Sequence, residues 1–518
     1  LVYTTEVLGN IRESYPLPLI LSALGAASIG LVWVLHQTGC FVLWLNSEAR
    51  FLRTLRFAIG VIAFGALATL FLSNAQVPSF GNVYNQELAK NGPYSLFAAF
   101  RNNELDYEAF YPKKEPREIF PEIRKLLSTT NATFLSETPM DITRLIKSEG
   151  QEKHWNVIQI TVESLSASFL GTFGNKENLT PNLDRLAGEG MLFTQFYATG
   201  NRTDRGMEAL SLSVPPTPGR SIVKRPHNEG LFTLGSVFSG KGYETSFIYS
   251  GFGYFDNMNY FFGSNGYKVI DRKAVPKSDI TFANVWGACD EDLFRWVSRE
   301  ADESYARHKP FFHFVMTTSN HRPFTYPEGR IDIPSKSGRE GAVKYTDYAI
   351  GEFIRAAQSK PWFTNTLFVI VADHCASSAG KSDLPVKQYE IPIILYNPAL
   401  VKPAKIDTLC SQIDYPPTLL GLMNWSYKSR FYGKDVLKMG PQDERALIGN
   451  YQKLGYLKNR TLTILKPVRQ EVVYEYDRAT GNLQKADPSK GFVNEAIAYY
   501  ETAGYFFEHK LNTAVHDQ

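Results

Sequence analysis

The sequence predicts an α/β protein built on a mostly parallel sheet. Between residues 154 and 434, apolar runs such as NVIQITVES, YETSFIYSG, FFHFVMTTSN and TLFVIVADH alternate with helical stretches such as PNLDRLAGEG and DEDLFRWVSREADESYA. Strands that are apolar on both faces, with helices between them, are typical of a parallel sheet covered on both sides.

Two uncharged apolar stretches, at about residues 16–36 and 57–73, precede this region. The first is long enough to cross a bilayer and the second is slightly short. Neither has the basic start and small-residue cleavage site of a signal peptide, and a buried core helix is the alternative for each. Arg50, Arg53 and Arg56 lie between them. The positive-inside rule therefore predicts a cytoplasmic loop there and an external location for everything after the second stretch.

The rest of the chain divides by pattern. After the apolar stretches, charges alternate with aromatic residues, which predicts a connector of short helices interrupted by Pro112, Pro116 and Pro121. A free linker would carry fewer aromatic residues. Beyond Lys434, a hairpin-like pair and an aromatic helix predict a subdomain packed on the sheet edge. The predicted parts are a membrane anchor, 1–75; a juxtamembrane connector, 76–153; an α/β domain, 154–434; and a C-terminal α+β subdomain, 435–518. Because the chain begins at Leu1 rather than Met, we expect further spans before it.

Composition excludes some classes of protein. The 518 residues have a formal charge of +3 and are 44% hydrophobic, so a nucleic-acid partner is not expected. Four cysteines are too few for a disulfide scaffold. Cys289 and Cys410 could pair, and the sequence does not decide whether they do.

Three of the predicted strands end on residues that can bind metal or move protons: Glu163 after IQITV, His321 after FFHFVMTTSN, and Asp373 with His374 after TLFVIVA. Ligands of open α/β sheets bind at the carboxyl ends of strands, so these residues are expected to converge. The alternatives are a solvated Glu and a structural His. An Asp-His pair closing an apolar strand is costly to bury without a partner. Two carboxylates, an imidazole and a hydroxyl would form a four-ligand site for a divalent ion.

The segment GNRTDRGMEAL contains a candidate for that hydroxyl, Thr203. A threonine hydroxyl is a poor nucleophile until a metal or a base activates it. At the start of a helix, the dipole and the unpaired amides would favour an anion beside it. Arg202 and Arg205 flank Thr203 and could hold phosphoryl oxygens. The alternative is that Thr203 only caps the helix, and the local sequence leaves both readings open.

Four motifs in this order behind an apolar anchor, ITVES, GNRTDRG, SNHRPF and VADHCASS, resemble the lipoteichoic-acid synthase family. Its members are bacterial phosphoglycerol transferases of the alkaline-phosphatase and sulfatase superfamily. The resemblance covers about residues 155–434. It implies an alkaline-phosphatase/sulfatase-like fold, and a multi-pass protein of the bacterial inner membrane with its catalytic domain outside.

The resemblance also implies roles for single residues. Glu163, Thr203, Asp373 and His374 would hold a divalent ion, with manganese expected first and magnesium or zinc as alternatives. Thr203 would attack the phosphorus of a phospholipid headgroup, that of phosphatidylglycerol first, and become a phospho-threonine ester as diacylglycerol leaves. His321 would bind the substrate or transfer a proton. An envelope glycan or polymer would then accept the group.

One segment departs from the family pattern. Where the Gram-positive synthases carry His, Trp and Arg residues that grip glycerol phosphate, the matching positions here are Tyr249, Asp256 and Met258. The headgroup therefore stays open. Asp256 and Asn257 are expected to bind a polyol or an amine, and a turn without a ligand is the alternative.

Three other functions remain as alternatives. A phosphoethanolamine transferase would share the threonine but usually carries several disulfides. In a sulfatase-like hydrolase or phosphodiesterase, water would accept the group, although SVPPTPGR lacks the arginine that the sulfatase C/S-x-P-x-R motif requires after Ser213. An inactive scaffold of envelope assembly would be free to lose a member of the ligand set, and none is missing here. Cys375 is expected to pack beneath the site rather than bind metal.

Overall fold

The computed structural model describes residues 4–46, 51–71, 76–77, 85, 88–95, 105–377, 380 and 382–514. The chain forms two compact units, Leu1–Asn102 and Asn103–Gln518, which are described separately.

The first unit is helical. Its helices are α1 (Thr4–Ser14), α2 (Leu17–Gln37), α3 (Cys40–Leu45) and α4 (Phe51–Phe71). Two segments, Leu17–Gln37 and Phe51–Ala68, have mean hydropathies of 2.0 and 1.6 and are long and apolar enough to cross a membrane. None of the residues of α2 is buried in the unit.

The second apolar helix differs from the prediction at its start. Arg53 and Arg56 lie in the first turns of α4 rather than in a loop, and Arg50 lies outside the described residues. Arginine is a good helix former, so the helix begins before the apolar run does. The end of the predicted stretch, residues 72–73, also lies outside the described residues.

The described residues of the second unit form four sheets. Its strands are β1 (Ala132–Phe134), β2 (Arg144–Ile146), β3 (Asn156–Val162), β4 (Met191–Phe193), β5 (Phe196–Tyr197), β6 (Glu244–Tyr249), β7 (Lys268–Ile270), β8 (Phe311–Met316), β9 (Thr366–Ala372), β10 (Ile393–Tyr396), β11 (Ala404–Ile406), β12 (Cys410–Ser411), β13 (Tyr427–Ser429), β14 (Ala446–Gly449), β15 (Leu454–Lys458), β16 (Thr461–Lys466), β17 (Gln470–Tyr476) and β18 (Leu483–Lys485). Its helices are α5 (Tyr107–Phe110), α6 (Pro116–Leu127), α7 (Pro181–Glu189), α8 (Thr203–Leu212), α9 (Leu234–Gly240), α10 (Met258–Ser264), α11 (Asp290–Ala306), α12 (Arg339–Ala357), α13 (Tyr415–Leu422) and α14 (Val493–Glu508).

The largest sheet has eight strands in the order β11-β4-β10-β9-β3-β8-β6-β7. Strand β10 runs antiparallel to both of its neighbours, and the other pairs are parallel. Strands β3, β8 and β9 are buried along their whole length, because helices cover both faces. The predicted α/β class with a mostly parallel sheet is therefore confirmed.

The register of the central strands positions the site. Val162 at the end of β3 lies beside Ala372 at the end of β9, and Thr161 lies beside Met316 at the end of β8. The residues that follow these three strands therefore leave the sheet at one edge.

The connector holds strands as well as helices. Pro116 begins α6, and Pro121 lies inside this helix rather than interrupting it. The helix buries Ile119, Phe120, Ile123 and Leu127 on one face, and this burial outweighs the one hydrogen bond that an internal proline removes. Strands β1 and β2 then form a three-stranded sheet with β13.

The C-terminal residues form a separate antiparallel sheet, β14 to β18 in sequence order. Tyr500 of α14 donates from its hydroxyl to the carbonyl oxygens of Ile448 and Gly455, at 3.2 and 2.6 Å, so the helix is tied to this sheet. All four cysteines are free, and Cys289 and Cys410 do not pair.

Candidate active site

Glu163, Asp373 and His374 converge at the carboxyl edge of the main sheet. One ligand atom from each lies within 4.8 Å of the others. The His374 Nε2 atom is 3.7 Å from Glu163 Oε1 and 3.5 Å from Asp373 Oδ2. The parallel register of β3 and β9 brings these residues together although more than two hundred positions separate them in sequence.

Asp373 has an unsatisfied oxygen inside this cluster. Its side chain is fully buried, and Oδ1 accepts hydrogen bonds from the backbone N–H groups of Ser164 and His374 at 2.8 and 2.6 Å. Oδ2 has no partner. Burial, together with the charge of Glu163, raises the pKa of this carboxyl well above its usual value. A cation between the two carboxylates would satisfy Oδ2 and offset their repulsion.

The orientation of His374 fits a metal ligand. Its Nδ1 atom lies 2.7 Å from the carbonyl oxygen of Cys375. A carbonyl oxygen only accepts, so Nδ1 carries the proton and the Nε2 lone pair faces the carboxylates. Burial lowers the pKa of the His374 imidazole, which keeps it neutral. The donor set therefore fits a divalent ion.

Cys375 packs beneath this cluster. Its Sγ donates to the carbonyl oxygen of Glu390 at 3.2 Å, and burial raises the pKa of its thiol to about 12. A protonated, buried thiol is inert as a ligand and as a nucleophile.

Thr203 is the first residue of α8, and its Oγ1 donates to Glu163 Oε2 at 3.2 Å. The N-cap position belongs to Arg202, which has extended backbone and makes no side-chain cap. The interpretation of Thr203 as a helix cap is therefore wrong. Its hydroxyl points into the cluster at the amino end of a helix, where an anion is stabilised.

Helix α8 sits directly against the end of β9. A Cβ atom at Gly206 would overlap the carbonyl oxygen of Asp373. The Arg205 guanidinium donates hydrogen bonds to Glu208 in the same helix, at 2.8 Å, and to the carbonyl oxygens of Thr217 and Gly219 in the following loop, at 2.6 and 2.7 Å. Arg205 is buried in these contacts and does not reach the site, so it anchors the helix rather than a phosphoryl group.

A cavity of about 250 Å³ opens beside the cluster and has a basic lining. Arg202, Arg322 and Arg339 contribute to its wall, as does His321. The His321 Nδ1 atom lies 3.0 Å from the Arg322 carbonyl oxygen, and its ring lies 3.9 Å from that of Trp286 between centroids. Because Nδ1 again faces an acceptor, the Nε2 lone pair of His321 is available to take a proton.

Asp256 lines the same cavity, whereas Asn257 does not. Lys224 Nζ lies 2.8 Å from Asp256 Oδ1 and 3.5 Å from Asp204 Oδ2. The Asn257 amide donates to the Val223 carbonyl oxygen at 2.9 Å and holds the turn. The structure thus brings one of the two predicted headgroup residues to the cavity.

Sequence reasoning missed several residues of the site. The Ser164 hydroxyl donates to Glu163 Oε1 at 2.6 Å and orients that carboxylate. Arg322 was visible in SNHRPF beside His321, but Arg339 begins a helix far along the chain. Its Nη1 donates to the Asn320 carbonyl oxygen at 3.2 Å. No local motif marks Arg339 or Trp286.

Comparison with known proteins identifies the family. The sequence profile described as Sulfatase matches residues 155–425, more than half of the chain. The protein belongs to the sulfatase family. The matched range contains Glu163, Thr203, His321, Asp373 and His374.

Solved structures resemble this sulfatase-family protein over most of its length. A protein in the alkaline phosphatase superfamily from Vibrio parahaemolyticus is 34% identical with a TM-score of 0.74, and the match covers 79% of this chain and 100% of that one. The lipoteichoic acid synthase LtaP from Listeria monocytogenes is 20% identical with a TM-score of 0.60, covering 77% of this chain and 99% of that one, and this likeness concerns the fold. The predicted alkaline-phosphatase/sulfatase fold is confirmed.

A curated relative carries a functional name. Phosphoglycerol transferase I from Xanthomonas campestris pv. campestris is 25% identical to this sulfatase-family protein over 320 residues. The match covers 55% of this chain and 43% of that protein, so the chain spans less than half of the relative's length. Together these similarities confirm the resemblance read from the four motifs.

Proposed function

We propose that this protein is a metal-dependent phosphoglycerol transferase. It would move glycerophosphate from a membrane phospholipid, through a phospho-threonine intermediate, to an envelope glycan or polymer. The proposal rests on the position of the Thr203 hydroxyl. It lies at the amino end of a helix and donates a hydrogen bond to Glu163, one of the three clustered residues that could bind a metal ion. A relative named phosphoglycerol transferase I supports the choice of transferred group.

The ligand set consists of Glu163, Asp373 and His374 with the Thr203 hydroxyl. A divalent ion held there, manganese first and magnesium or zinc as alternatives, would make the Thr203 hydroxyl easier to deprotonate and would offset charge on the phosphoryl oxygens. Ser164 and Cys375 position the ligands, since the first donates to Glu163 and the second accepts from His374 Nδ1.

Two displacements at phosphorus then account for the transfer. In the first, the Thr203 oxygen bonds to phosphorus as the bond to the diacylglycerol oxygen breaks, and the threonine proton is passed to that leaving oxygen. In the second, the acceptor hydroxyl displaces Thr203 and its proton returns to the threonine oxygen. His321 lines the cavity with an available Nε2 lone pair, so it is the residue that relays the proton in each step.

The arginines of the cavity stabilise the charge of the transferred group. Phosphoryl transfer leaves most of its charge on the equatorial oxygens, and fixed cations are the main help that a protein can offer. Arg202, Arg322 and Arg339 line the cavity beside Thr203 and supply forked donors for those oxygens.

The cavity favours a glycerol headgroup over ethanolamine. Glu163 and Asp256 are its only carboxylates among the described lining residues, and Asp256 already pairs with Lys224 at 2.8 Å. An ammonium group would face three arginines without a carboxylate of its own. A polyol can donate its hydroxyls to the paired Asp256 oxygens, so the phosphoethanolamine alternative is disfavoured.

The remaining alternatives differ in what accepts the group. A hydrolase would hand it to water, and product formation would then be independent of an added acceptor. An inactive scaffold is disfavoured because all four members of the ligand set are present.

We also propose that α2 and α4 span the bacterial inner membrane and that the catalytic unit works on its outer side, since the donor would be a membrane lipid.

Mass spectrometry of the full chain tests the covalent step. The protein in detergent is incubated with phosphatidylglycerol and manganese without an acceptor. We expect a glycerophosphate adduct on the peptide containing Thr203, an adduct also in Thr203→Ser, and none in Thr203→Ala. Absence of any adduct in the native protein, with phosphatidylglycerol consumed, would overturn the mechanism.

A further inference from the structure

A second cavity, of about 660 Å³, lies near the amino end of β3, whereas Thr203 lies at the carboxyl end of this strand. Segments 128–148 and 417–443 form its walls, and it shares no lining residue with the first cavity. Trp425 in its wall donates from Nε1 to the Lys153 carbonyl oxygen at 2.9 Å, just before β3 begins. Glu163 follows the other end of β3, whose seven residues span about 23 Å at roughly 3.3 Å per residue.

Arg144 brings an unbalanced positive charge to this second cavity. The residue is 3% exposed and lines the cavity. Its Nη2 donates to the Phe431 carbonyl oxygen at 2.8 Å and its Nη1 to that of Ile142 at 3.4 Å, but its Nε has no partner. Among the described residues, no carboxylate forms an ion pair with it. Buried charges without a counter-ion are costly, so an anion is the complement that this guanidinium lacks.

Two lysines add positive charge that is locally balanced. Lys434 pairs with Asp443 at 2.5 Å, and Lys438 pairs with Asp435 at 3.7 Å. With Arg144, the lining therefore carries one net positive charge. The Lys438 side chain is 52% exposed and can swing toward a bound anion.

The neighbouring wall offers uncharged polar groups. Thr129, Thr130 and Asn131 form a polar turn after α6, and Gln442 also contributes to the lining. The Thr129 hydroxyl donates to Asn131 Oδ1 at 2.9 Å, and the Asn131 amide donates to the Lys147 carbonyl oxygen at 3.0 Å. Within the described residues, the Thr130 hydroxyl and the second amide hydrogen of Asn131 are left for a ligand. Hydroxyl and amide groups of this kind bind polyol oxygens. A free phosphate ion would fill a small part of 660 Å³, a volume that is in the usual range for an organic ligand.

We propose that the second cavity binds a phosphate-bearing polyol or glycan segment, with the phosphate at Arg144 and the polyol against the Thr129–Asn131 turn. The proposal goes beyond the transferase function, because it concerns a site remote from Thr203 and requires no transfer. A neutral glycan would leave the Arg144 charge unbalanced, and an inorganic anion alone would leave the polar turn without a ligand.

Calorimetric titration with glycerol 1-phosphate tests the proposal. All proteins are full chains in detergent and carry Thr203→Ala, so that no covalent step contributes heat. Thr130→Trp blocks the cavity from an exposed position, and Lys438→Glu reverses an exposed charge at its wall. Lys402→Glu is the matched control, because Lys402 is exposed and does not line the cavity.

We expect both cavity variants to lose one binding site or to bind it at least ten-fold more weakly, and the control to bind as the background protein does. Unchanged binding in Thr130→Trp and Lys438→Glu would overturn the proposal, since binding would then belong to the first cavity. If glycerol, glucose or inorganic phosphate bound the cavity as tightly as glycerol 1-phosphate does, the proposal would also be overturned, because the site would then recognise only one half of the ligand. These outcomes do not depend on catalysis, so a failed Thr203 adduct would leave them interpretable.

Discussion

The Asp373 side chain shows at the residue scale why the cluster fits a cation. One of its oxygens accepts two backbone hydrogen bonds, and the other is buried without a partner beside a second carboxylate. The protein supplies hydrogen-bond donors to Oδ1 but none to Oδ2, and a metal ion bound to Oδ2 would fill that gap. The same reasoning applies to His374, whose protonated nitrogen is held by a carbonyl so that the other faces inward.

Asp373→Asn should therefore separate metal binding from folding. Without metal, the neutral amide replaces a carboxyl whose charged form is costly to bury beside Glu163, and we expect the free energy of unfolding to rise by about 1–3 kcal/mol. Manganese should raise the Tm of the native chain and leave that of the variant unchanged, as thermal unfolding with and without the ion will show. Asp347→Asn is the control, since Asp347 is buried away from the cluster, where Asn182 and Leu183 donate to it. A manganese shift retained by Asp373→Asn would contradict the assigned ligand set.

Lys224 is expected to set the headgroup preference. Lys224→Met leaves Asp256 without its cationic partner, so the cavity would accept an ammonium group more readily. We expect the ratio of turnover with phosphatidylethanolamine to turnover with phosphatidylglycerol to rise about ten-fold. Lys402→Met, at an exposed lysine away from the cavity, should leave the ratio unchanged. An unchanged ratio in Lys224→Met would mean that the Asp256 charge does not exclude the amine.

At the scale of elements, the site depends on one helix meeting one strand end. Helix α8 brings Thr203 to the cluster, and the contact between Gly206 and the Asp373 carbonyl fixes how close the helix comes. Glu208 accepts from Arg205 and from the Ser221 hydroxyl at 2.7 Å, which ties the middle of the helix to the following loop. Gly206, the second glycine of GNRTDRG, is thus required for the close approach of α8 to the end of β9 rather than for an unusual backbone conformation.

Gly206→Ala should move Thr203, the proposed nucleophile, without unfolding the protein. The added Cβ pushes α8 away from β9, so we expect the rate of adduct formation at Thr203 to fall about 100-fold and the free energy of unfolding to fall by about 1–3 kcal/mol. Gly188→Ala in α7 is the matched control. A Cβ there meets nothing within 4 Å, and the change should stabilise the helix by about 0.5–1 kcal/mol. A fully active Gly206→Ala would show that the contact does not position Thr203.

At the scale of the whole molecule, the centre of the main sheet contains one ionisable side chain in an apolar setting. His313 lies in the middle of β8 and is fully buried, with no partner for either ring nitrogen. Burial, with a smaller effect of Lys268, lowers the pKa of His313 to about 3. The folded state therefore binds its proton at much lower pH than the unfolded state, and stability must fall as pH decreases below the unfolded pKa of about 6.5.

His313→Phe should make the protein more resistant to acid. Between pH 7 and 4.5, the native histidine is expected to lower the free energy of unfolding by about 2.5 kcal/mol, and phenylalanine removes this dependence. Urea unfolding followed over that pH range will measure the difference. His509→Phe, at an exposed position, should keep the native pH dependence. Parallel pH profiles for the native chain and His313→Phe would rule out this account.

Sequence and structure agree where chemistry and periodicity act locally. Short apolar runs that alternate with helical stretches are typical of a covered parallel sheet, so the sheet and the convergence of Glu163, Asp373 and His374 at its edge were predictable. The structure of the connector was less predictable. Pro121 reads as a helix breaker, but the burial of Phe120 and Ile123 against the rest of the unit keeps the helix intact.

By itself, the sequence determined the alternation of strands and helices in the α/β region and the residue types that close its central strands. Only the tertiary structure decided which charged groups face a ligand. Arg205 turned out to be buried in helix contacts, whereas Arg339 reaches the cavity from a distant helix, and Arg144 lacks a counter-charge in a second cavity. The reason is physical: residue type and spacing set what a side chain can do. The groups that a side chain pairs with come from distant segments of the sequence, and they decide whether its charge is balanced and which way it points.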